Sequence, residues 1–454
     1  MTGSFELKRS ARDARRGIEP CVHELLSKIE SRTARVVVIG VGYVGLPLVV
    51  ELARAGFHVT GYDKDRDKTR LLGQGESFIG DVPSGDLAPL VAAGKLHASS
   101  DPDVLGAADA VIVCVPTPLN KTRDPDMRFI AAASDEIAER QRPGTLVVLE
   151  STTYPGTTRE VLAPKLTGGR FTLGEDVFVA FSPERVDPGN TRFATRNTPK
   201  VIGGMTPACL TLAKALYGAI VETVVPVSST DAAEMVKLLE NTFRAVNIGL
   251  VNEVALMSRR LGVDVWEVIR AAATKPFGFL PFYPGPGLGG HCIPIDPLYL
   301  SWKMRALKTQ ARFIELADTI NSAMPDAVVT LVSEALNQRK KALNGARVLV
   351  SGVAYKRDVA DCRESPAFEV IHGLVKLGAE VDYEDRHVPE LSEGDLHMKS
   401  VGPKVDYGAY DAVVIVTDHR DVDYARMLRE ARLVVDTRDV LRGVEGDREK
   451  VVRL

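Results

Sequence analysis

The sequence predicts an α/β protein with two doubly wound parallel sheets joined by a long central helix. Three observations predict this fold class. Short β-branched runs alternate with helical patterns from residue 35 onward, and the same alternation returns after residue 346. Between them, the run from Thr230 to Gly262 has helical spacing and few helix breakers. A chain of 454 residues is too long for one core, so we expect two or three domains.

The first predicted strand runs into a glycine pattern. The residues VVVI end at Ile39 and lead into GVGYVG, a helical pattern follows, and a second strand ends at Asp63. Gly40, Gly42 and Gly45 therefore lie between a strand and a helix, with an acidic residue about 20 positions further on, as in the Rossmann dinucleotide fingerprint. Asp63 would accept hydrogen bonds from the adenosine ribose hydroxyls and repel a 2′-phosphate. The sequence thus predicts NAD, not NADP, as cofactor.

Three further apolar runs fit the same sheet and end in polar residues. They are DAVIVCVPTP, TLVVLESTTYPG and VFVAFSPE. Because the carboxyl ends of parallel strands line one crevice, we expect four polar side chains to lie together at this edge. These residues are Thr117, Ser151, Thr152 and Glu184. A turn or a cap would explain any one of them taken alone.

The central helical pattern from Thr230 is apolar over much of its circumference, which indicates a core element that joins domains or contacts a partner subunit. Lys237 and Asn241 are four residues apart and so share a face. Solvent exposure is the usual state of such residues, but a polar pair in so apolar a helix is more typical of a cleft. Further helices are predicted from about Leu298 and from Phe313 to Leu336.

The last part of the chain, from ARVLVSGVAYKRDVADCRESPA, predicts a second and smaller parallel sheet. It lacks the GxGxxG pattern, so we expect no second dinucleotide site. Lys356 and Arg363 follow its first strand, where they are suited to bind phosphates. Ordinary solvent exposure explains them equally well from the residues alone.

The stretch YPGPGLGGHCIPIDP, from Tyr283 to Pro297, places one thiol in an unusual setting. Its prolines and glycines predict a loop with fixed bends that a ligand can approach closely. Cys292 within it is a candidate nucleophile, although a lone cysteine is as often a small buried apolar residue.

Composition excludes several other classes of protein. A net charge of -3 argues against a nucleic-acid-binding protein. The five cysteines are far apart and form no CxxC pair, which predicts a reducing compartment, no disulfide framework and no metal site. No apolar run is long enough for a membrane span, and the N-terminus lacks the apolar core of a signal peptide. We therefore expect a soluble cytoplasmic protein with no nucleic-acid or membrane partner.

A dinucleotide domain and a loop-borne thiol are compatible with two kinds of oxidoreductase. One kind removes a single hydride from an alcohol. In the other, the aldehyde is trapped by the thiol, gives up a second hydride and is hydrolysed to an acid. The second kind also needs a base, an oxyanion stabiliser and an activated water. The residues that supply these groups are Thr152, Glu184, Lys237, Asn241 and Asp296.

The ordered motifs of the chain resemble one enzyme family over about residues 33 to 440. The motifs are GVGYVG, PTP, ESTTYPGT, FSPER, KLLENTFR, GPGLGGHCIPIDP and GVAYKRDVADCRESP. Together they are similar to the nucleotide-sugar 6-dehydrogenases, which oxidise UDP-hexoses to UDP-hexuronates with two NAD. The resemblance implies two Rossmann-like domains joined by a long central helix, and a homodimer or higher homo-oligomer formed through that helix.

The resemblance also implies a role for each site residue. Cys292 would be the nucleophile, while Lys237 and Asn241 would hold the C6 oxygen and stabilise the oxyanion. Thr152 and Asp296 would position the water that acts as base in the first step, and Glu184 would transfer protons during thioester hydrolysis. The implied NAD contacts are Gly40, Val41, Gly42, Tyr43, Val44, Gly45, Asp63, Lys68, Thr117, Ser151 and Arg363. The implied UDP-sugar contacts are Glu184, Arg185, Lys237, Asn241, Tyr283, Gly285, Gly287, Gly289 and Lys356.

The domain boundaries follow from the same comparison of motifs. We expect an N-terminal extension (1–33), an NAD-binding domain (34–228), a central helical domain with the cysteine loop (229–325) and a C-terminal UDP-sugar-binding domain (326–454). The extension is basic and ends in a predicted short surface helix, ELLSKIES.

Two departures from the family pattern bear on the substrate. Enzymes acting on UDP-glucose have a second acid four residues after the glutamate matching Glu184, where this chain has Pro188, preceded by Asp187. They also have a small polar residue before the nucleophile, where this chain has His291. The cysteine loop is more similar to the branch acting on N-acetylated hexosamines. The predicted substrate is UDP-N-acetylglucosamine, followed by UDP-N-acetylmannosamine and UDP-glucose. A regulator that binds NAD or a UDP-sugar without catalysis is an alternative of a different class.

Overall fold

The computed structural model describes residues 20–80, 82–120, 122–186, 190, 192–394 and 396–454. The chain forms two compact units, Met1–Leu239 and Glu240–Leu454. The basic residues before Pro20, and also Asp187 and Pro188, lie outside the described residues. The finer division into four segments stays a prediction. Among the described residues, none of the helices combines the length and the hydropathy that crossing a bilayer requires.

The first unit is built on an eight-stranded sheet in the order β3-β2-β1-β4-β5-β6-β7-β8. Its strands are β1 (Arg35–Ile39), β2 (His58–Tyr62), β3 (Leu96–Ser99), β4 (Ala110–Val113), β5 (Thr145–Leu149), β6 (Val177–Phe181), β7 (Lys200–Gly204) and β8 (Val224–Val227). Neighbouring strands are parallel except β6 and β7, which are antiparallel. The first six strands have the order of a Rossmann dinucleotide domain.

Helices cover both faces of this sheet. They are α1 (Pro20–Glu30), α2 (Gly45–Arg54), α3 (Arg66–Gly73), α4 (Ser84–Ala92), α5 (Arg128–Arg140), α6 (Ala163–Thr167) and α7 (Pro207–Tyr217). Alternate residues of β1 belong to opposite core clusters, with Val36 and Val38 on one face and Val37 and Ile39 on the other. The sheet is therefore doubly wound, as predicted.

Helix α1 differs in one respect from the predicted surface helix. Val22, Leu25 and Ile29 lie along one side of it and are buried in the first core cluster. Their spacing of three and four residues is that of an amphipathic helix with one apolar face. The described end of the N-terminal extension is therefore part of the packed unit.

The second unit contains a smaller parallel sheet in the order β10-β9-β13-β14-β15 and a separate hairpin. The sheet consists of β9 (Arg347–Ser351), β10 (Glu380–Glu384), β13 (Ala412–Ile415), β14 (Val434–Asp436) and β15 (Val451–Arg453), and the hairpin of β11 (Glu390–Glu393) and β12 (Leu396–Lys399). The alternation of strands with helices confirms the prediction of a second Rossmann-like domain.

Six further α-helices lie in the described part of the chain after β8. They are α8 (Thr230–Leu261), α9 (Val265–Ala272), α10 (Asp296–Ala306), α11 (Arg312–Gln338), α12 (Pro366–Lys376) and α13 (Tyr424–Glu430). Helix α8 has 32 residues, extends for about 48 Å, and carries the chain from the first unit into the second. It ends as predicted before Gly262, whose φ of 69° is typical of a helix C-terminus.

The two sheets share the geometry of their first turn. After β1, Gly40 has a φ of 87°, and the amide of Val41 donates to Asp63 Oδ2 at 3.0 Å. After β9, Gly352 has a φ of 80°, and the amide of Val353 donates to Oδ2 of Asp385, the residue after β10, at 2.8 Å. Each domain thus begins with a strand, a left-handed glycine and an acid that binds the turn.

Candidate active site

The glycine turn of the first unit has the shape that a dinucleotide pyrophosphate needs. A Cβ on Gly45 would lie 1.9 Å from the carbonyl oxygen of Gly40, so only glycine lets helix α2 approach the turn so closely. A Cβ on Gly42 would meet no atom within 4 Å, which leaves open space above the start of the helix. The residues between Gly40 and Gly45 therefore fit a phosphate group at a helix N-terminus.

Two further predicted cofactor residues lie at the end of β2. Asp63 follows the strand, and its second carboxylate oxygen accepts the amide of Asp65 at 3.0 Å. Lys68 lies in the first turn of α3, with its Nζ 3.8 Å from Asp65 and its side chain 40% exposed. A carboxylate oxygen can accept more than one hydrogen bond, so Asp63 keeps capacity for ribose hydroxyls.

The four polar residues predicted to share the crevice edge follow the carboxyl ends of three adjacent parallel strands, β4, β5 and β6. Ser151 donates from its hydroxyl to the carbonyl of Val115 at 2.8 Å, which ties the segment after β5 to the one after β4. Thr117 and Thr152 lie in these two segments and are partly buried. The structure therefore places this set at one edge, and the roles of its members stay predictions.

Glu184, in the segment after β6, is fixed by three groups. Its Oε1 accepts the amides of Arg185 and Val186 at 2.8 and 2.6 Å, and its Oε2 accepts Lys200 Nζ at 2.9 Å. Its backbone carbonyl accepts the ammonium of Lys237 at 2.7 Å. Burial alone would raise the pKa of Glu184, but the ammonium of Lys200 and the hydrogen bonds outweigh it and lower the pKa. Glu184 is therefore a carboxylate at neutral pH.

Lys237 and Asn241 are both buried on helix α8, so neither has the solvent exposure that is usual for such residues. Asn241 Nδ2 donates to Oδ2 of Asp296, the first residue of α10, at 2.5 Å. An amide nitrogen has two hydrogens and an ammonium has three, so these bonds leave donors for a ligand oxygen. Both residues can thus stabilise an oxyanion.

Cys292 is the one exposed cysteine among the described residues. Its carbonyl accepts the amides of Ile295 and Asp296 at 3.2 and 2.8 Å, so it lies in the turn that leads into α10. Partial desolvation, and then the guanidinium of Arg363, lower the pKa of His291, so this neighbour is uncharged at neutral pH.

The loop before Cys292 packs against other segments of the second unit. Tyr283 stacks on Trp266 with ring centroids 6.2 Å apart, and the amide of Gly285 donates to Asn252 Oδ1 at 3.0 Å. A Cβ on Gly287 would lie 3.0 Å from Pro366, and one on Gly289 would lie 2.8 Å from Tyr355. These glycines therefore let the loop pack on backbone and rigid side chains.

The segment from Tyr355 to Pro366 carries the predicted phosphate-binding residues. The amide of Gly290 donates to the carbonyl of Arg363 at 3.1 Å, so the cysteine loop and this segment are in contact. Arg363 makes a two-pronged ion pair with Asp361 at 2.8 and 2.6 Å. Lys356 is partly buried on the same segment. The structure thus brings Lys356 and Arg363 to the loop that bears Cys292.

His419 is buried and supports this segment. Its Nδ1 accepts the amide of Asp358 at 2.9 Å, so its Nε2 carries the proton and donates to Asp385 at 3.0 Å. The side chains of Asp358, His387, His419 and Asp421 have ligand atoms within 4.8 Å of one another, a grouping that the sequence did not predict. Because both nitrogens of His419 already have partners, a metal ion there would have to break one of these bonds.

Sequence reasoning missed the buried groups behind Glu184. Lys200, at the start of β7, also donates to Glu150 at 2.9 Å, and Tyr217 donates to the other oxygen of Glu150. The available signal was a charged residue adjoining an apolar run, in LVVLE before Ser151 and in KVIGG. Such a residue is more often a strand end in solvent, so the signal alone does not identify a site.

Three consecutive parts of the chain match one protein family. Residues 34–221 match the NAD binding domain of the UDP-glucose/GDP-mannose dehydrogenase family, residues 231–323 its central domain and residues 349–443 its UDP binding domain. The chain belongs to this family. It is therefore an NAD-dependent nucleotide-sugar dehydrogenase, and the predicted family and the NAD cofactor are confirmed.

Relatives within the UDP-glucose/GDP-mannose dehydrogenase family act on different sugars. The chain is 35% identical over 393 residues to UDP-N-acetyl-D-glucosamine 6-dehydrogenase of Pseudomonas aeruginosa, which spans 85% of this chain and 91% of the relative. It is 36% identical over 418 residues to NDP-N-acetyl-D-galactosaminuronic acid dehydrogenase of Ralstonia nicotianae, and the match covers 88% of this chain and 95% of the relative. The structure of UDP-D-ManNAc dehydrogenase from Pyrococcus horikoshii matches with a TM-score of 0.82 and 34% identity, covering 89% of this chain and 96% of that one.

Proposed function

We propose that this chain oxidises the C6 hydroxyl of a UDP-N-acetylhexosamine to the uronic acid by removing four electrons, with UDP-N-acetylglucosamine as the preferred substrate. The observation that carries this proposal is the exposed thiol of Cys292, on a loop in contact with the segment that bears Lys356. A single oxidation to an aldehyde would not require that thiol. The further oxidation to an acid does, because the aldehyde must be held covalently.

The first oxidation needs a base for the C6 hydroxyl and donors for its oxygen. NAD accepts a hydride in each of the two oxidations when it is bound at the glycine turn. Lys237 and Asn241 hold the C6 oxygen through their ammonium and amide hydrogens. Thr152 and Asp296 position a water that takes the hydroxyl proton. Helix α8 supports this assignment because it carries both oxygen-binding residues in buried positions.

Cys292 then keeps the aldehyde from escaping. Its thiolate adds to C6, and the resulting oxygen anion is stabilised by the donors on α8. Loss of the second hydride from C6 gives a thioester. The exposure of Cys292 supports this step, because an incoming aldehyde can reach an exposed thiol.

Hydrolysis of the thioester needs a base that removes a proton from water. Glu184 is suited to this step because the charge of Lys200 and its hydrogen bonds keep it ionised. Water adds to the thioester carbon, the C–S bond breaks, and the thiolate of Cys292 is regenerated. The products are the acid, two NADH and the protons released.

The UDP-sugar would bind along the cysteine loop. The ring of Tyr283 provides an aromatic face, and Gly285, Gly287 and Gly289 let a ligand approach the backbone closely. Lys356 would provide positive charge for the diphosphate. The preference for an N-acetylated sugar is supported by His291 before the nucleophile and by relatives that act on N-acetylhexosamines.

We expect about two NADH per UDP-sugar consumed, because the alcohol loses two hydrides on the way to the acid. The test is NADH release measured over a panel of UDP-N-acetylglucosamine, UDP-N-acetylmannosamine, UDP-N-acetylgalactosamine and UDP-glucose. Steady turnover at one NADH per sugar would refute the four-electron scheme. Highest kcat/KM with another sugar of the panel would move the substrate assignment to that sugar. Binding of NAD and sugar without turnover would instead support a regulator.

We also propose that two copies of the chain associate through helix α8. Large apolar side chains along one side of this helix are exposed in the single chain: Met235, Leu239, Phe243, Leu250, Met257 and Leu261. At 100° per residue they fall within one stripe of the helix surface. Exposing an apolar stripe of this length to water is unfavourable. In a dimer with a twofold axis, the stripe of each copy would cover that of the other.

Exchanging Leu239 and Leu250 together for glutamate should halve the molecular mass measured by light scattering on a sizing column. The physical reason is that two carboxylates would be buried against the apolar stripe of the partner. Val375→Glu is the matched control, because Val375 is 50% exposed and lies on α12, which contributes no residue to the stripe. A wild-type protein that is monomeric at micromolar concentration would contradict the proposal.

A further inference from the structure

A lysine lies buried between two carboxylates beside the candidate catalytic edge of the first unit. Lys200 Nζ is 2.9 Å from Glu150 Oε2 and 2.9 Å from Glu184 Oε2. The side chains of Lys200, Glu150 and Glu184 are 5%, 0% and 13% exposed. Burying a charge is costly unless it is paired, and here one ammonium faces two acids.

The reversed direction of β7 brings this lysine to the edge. Phe181 of β6 pairs with Gly203 of β7, and the hydroxyl of Ser182 donates to the carbonyl of Val201 at 2.9 Å. Counting on in the antiparallel register places Lys200 opposite Glu184. A parallel β7 would have its first residue at the other edge of the sheet, far from the carboxyl ends of β4, β5 and β6.

Glu150 holds the lysine from the other side. It directly follows β5, its Oε1 accepts the hydroxyl of Tyr217, and its Oε2 accepts the ammonium. Burial, together with the negative charge of Glu184, raises the pKa of Glu150, although Lys200 and the hydrogen bonds oppose this. Burial would lower the pKa of Lys200, but the two carboxylates raise it, so the ammonium stays charged.

The carboxylate of Glu184 is thereby fixed at both oxygens. Backbone amides hold Oε1, and Lys200 holds Oε2. The side chain of Glu184 as a whole remains 13% exposed, so it is not sealed from water. Lys200 adds a restraint at the oxygen that the backbone amides do not hold, so rotation of the carboxylate would break contacts at both oxygens.

We propose that Lys200 is a positioning residue that holds Glu184 in place and in its ionised form for hydrolysis of the thioester. The inference rests on the proposed function, because it assigns a task to a residue behind the base of that reaction. Lys200 does not touch the reacting atoms and acts through Glu184. It should therefore affect the last step and leave the two hydride transfers nearly unchanged.

The test compares wild-type protein with Lys200→Met in the dependence of kcat on pH. A base works as a carboxylate, so activity falls as pH drops through the pKa of Glu184. Removing the ammonium raises this pKa, so we expect the acidic limb of the profile to move upward by about one pH unit or more. Rapid-quench samples of the variant, examined by intact mass, should contain more sugar nucleotide bound to Cys292 than samples of the wild-type protein, because hydrolysis is slower. The KM for NAD should not change.

Three variants give the comparison its controls. Lys200→Gln is a second neutral variant that keeps a hydrogen-bond donor, in case the methionine variant does not fold. Glu150→Gln removes the other partner of Lys200, so its acidic limb should stay at the wild-type position or move lower. Lys165→Met removes a lysine that pairs with Asp135 on the surface of the same unit and should change nothing.

The outcomes separate this inference from the proposed function. If the wild-type protein is active and the acidic limb of the pH profile is unchanged in both Lys200 variants, the positioning role alone is overturned. The same upward shift in Glu150→Gln would also overturn it, since the shift would then follow from any disturbance of the buried groups. A wild-type protein that releases no NADH with any UDP-sugar overturns the proposed function, and the inference with it.

Discussion

Replacing Cys292 by alanine is expected to abolish formation of the sugar acid, with a loss in kcat of about 10³-fold or more. Without the thiol, the aldehyde has no covalent partner, so the second hydride transfer and the hydrolysis have no substrate. Cys292→Ser should stall at the second oxidation, because an alkoxide is a poorer trap and a poorer leaving group than a thiolate. NADH release and acid formation, measured together by absorbance and mass spectrometry, check both variants.

The control for this pair is Cys21→Ala, since Cys21 lies on α1 and is distant in sequence from every predicted site residue. Its activity should equal that of the wild-type protein. Full activity of Cys292→Ser would rule out the covalent route. It would leave the family assignment intact, because that assignment depends on the whole chain and not on this residue.

Gly45→Ala should destabilise the first unit by about 3 kcal/mol or more, because its Cβ would stand 1.9 Å from the backbone oxygen of Gly40. Neither backbone segment can move without separating helix α2 from strand β1. Gly42→Ala is the matched variant, since a Cβ there meets nothing within 4 Å. It should fold normally and bind NAD about 10-fold or more weakly, because the methyl group occupies the space that the pyrophosphate needs.

Thermal unfolding and titration of NAD distinguish these two glycines. If Gly45→Ala were as stable as the wild-type protein, the close packing of α2 on the turn would be wrong. If Gly42→Ala bound NAD with unchanged affinity, the pyrophosphate would not lie over the turn. The pair therefore separates a glycine required by the fold from one required by the ligand.

The fold was predictable from the sequence where a local pattern determines it. Strands β5 and β6 are buried at every position, and both are continuous apolar runs in the sequence. Helix α8 begins at Thr230 as expected, because an unbroken helical pattern starts there and Gly262 ends it. The glycines from Gly40 to Gly45 lie between a strand and a helix that follow one another in the sequence. The dinucleotide fingerprint could therefore be identified from one short stretch.

The rest depends on contacts between distant parts of the chain. The direction of β7 is set by its pairing with β6 and β8, and nothing within KVIGG indicates it. The position of Lys200 beside Glu184 follows from that direction, so sequence reasoning could not find it. The contact of the cysteine loop with the segment from Tyr355 to Pro366 likewise joins residues far apart in sequence. The sequence motifs identified the cysteine loop and this segment separately. The contact between them forms only in the folded second unit.

The repeated glycine turn has a consequence for how the second domain can bind a nucleotide. In the second domain, the acid after the second strand, Asp385, is fully enclosed, and the ring of His419 donates to it where a ribose hydroxyl would otherwise do so. The carboxylate of Asp385 is therefore occupied by groups of the protein itself, whereas Asp63 in the first domain accepts only backbone amides from the described residues. A nucleotide that binds the second domain would therefore have to be recognised without this carboxylate, by other groups of the domain.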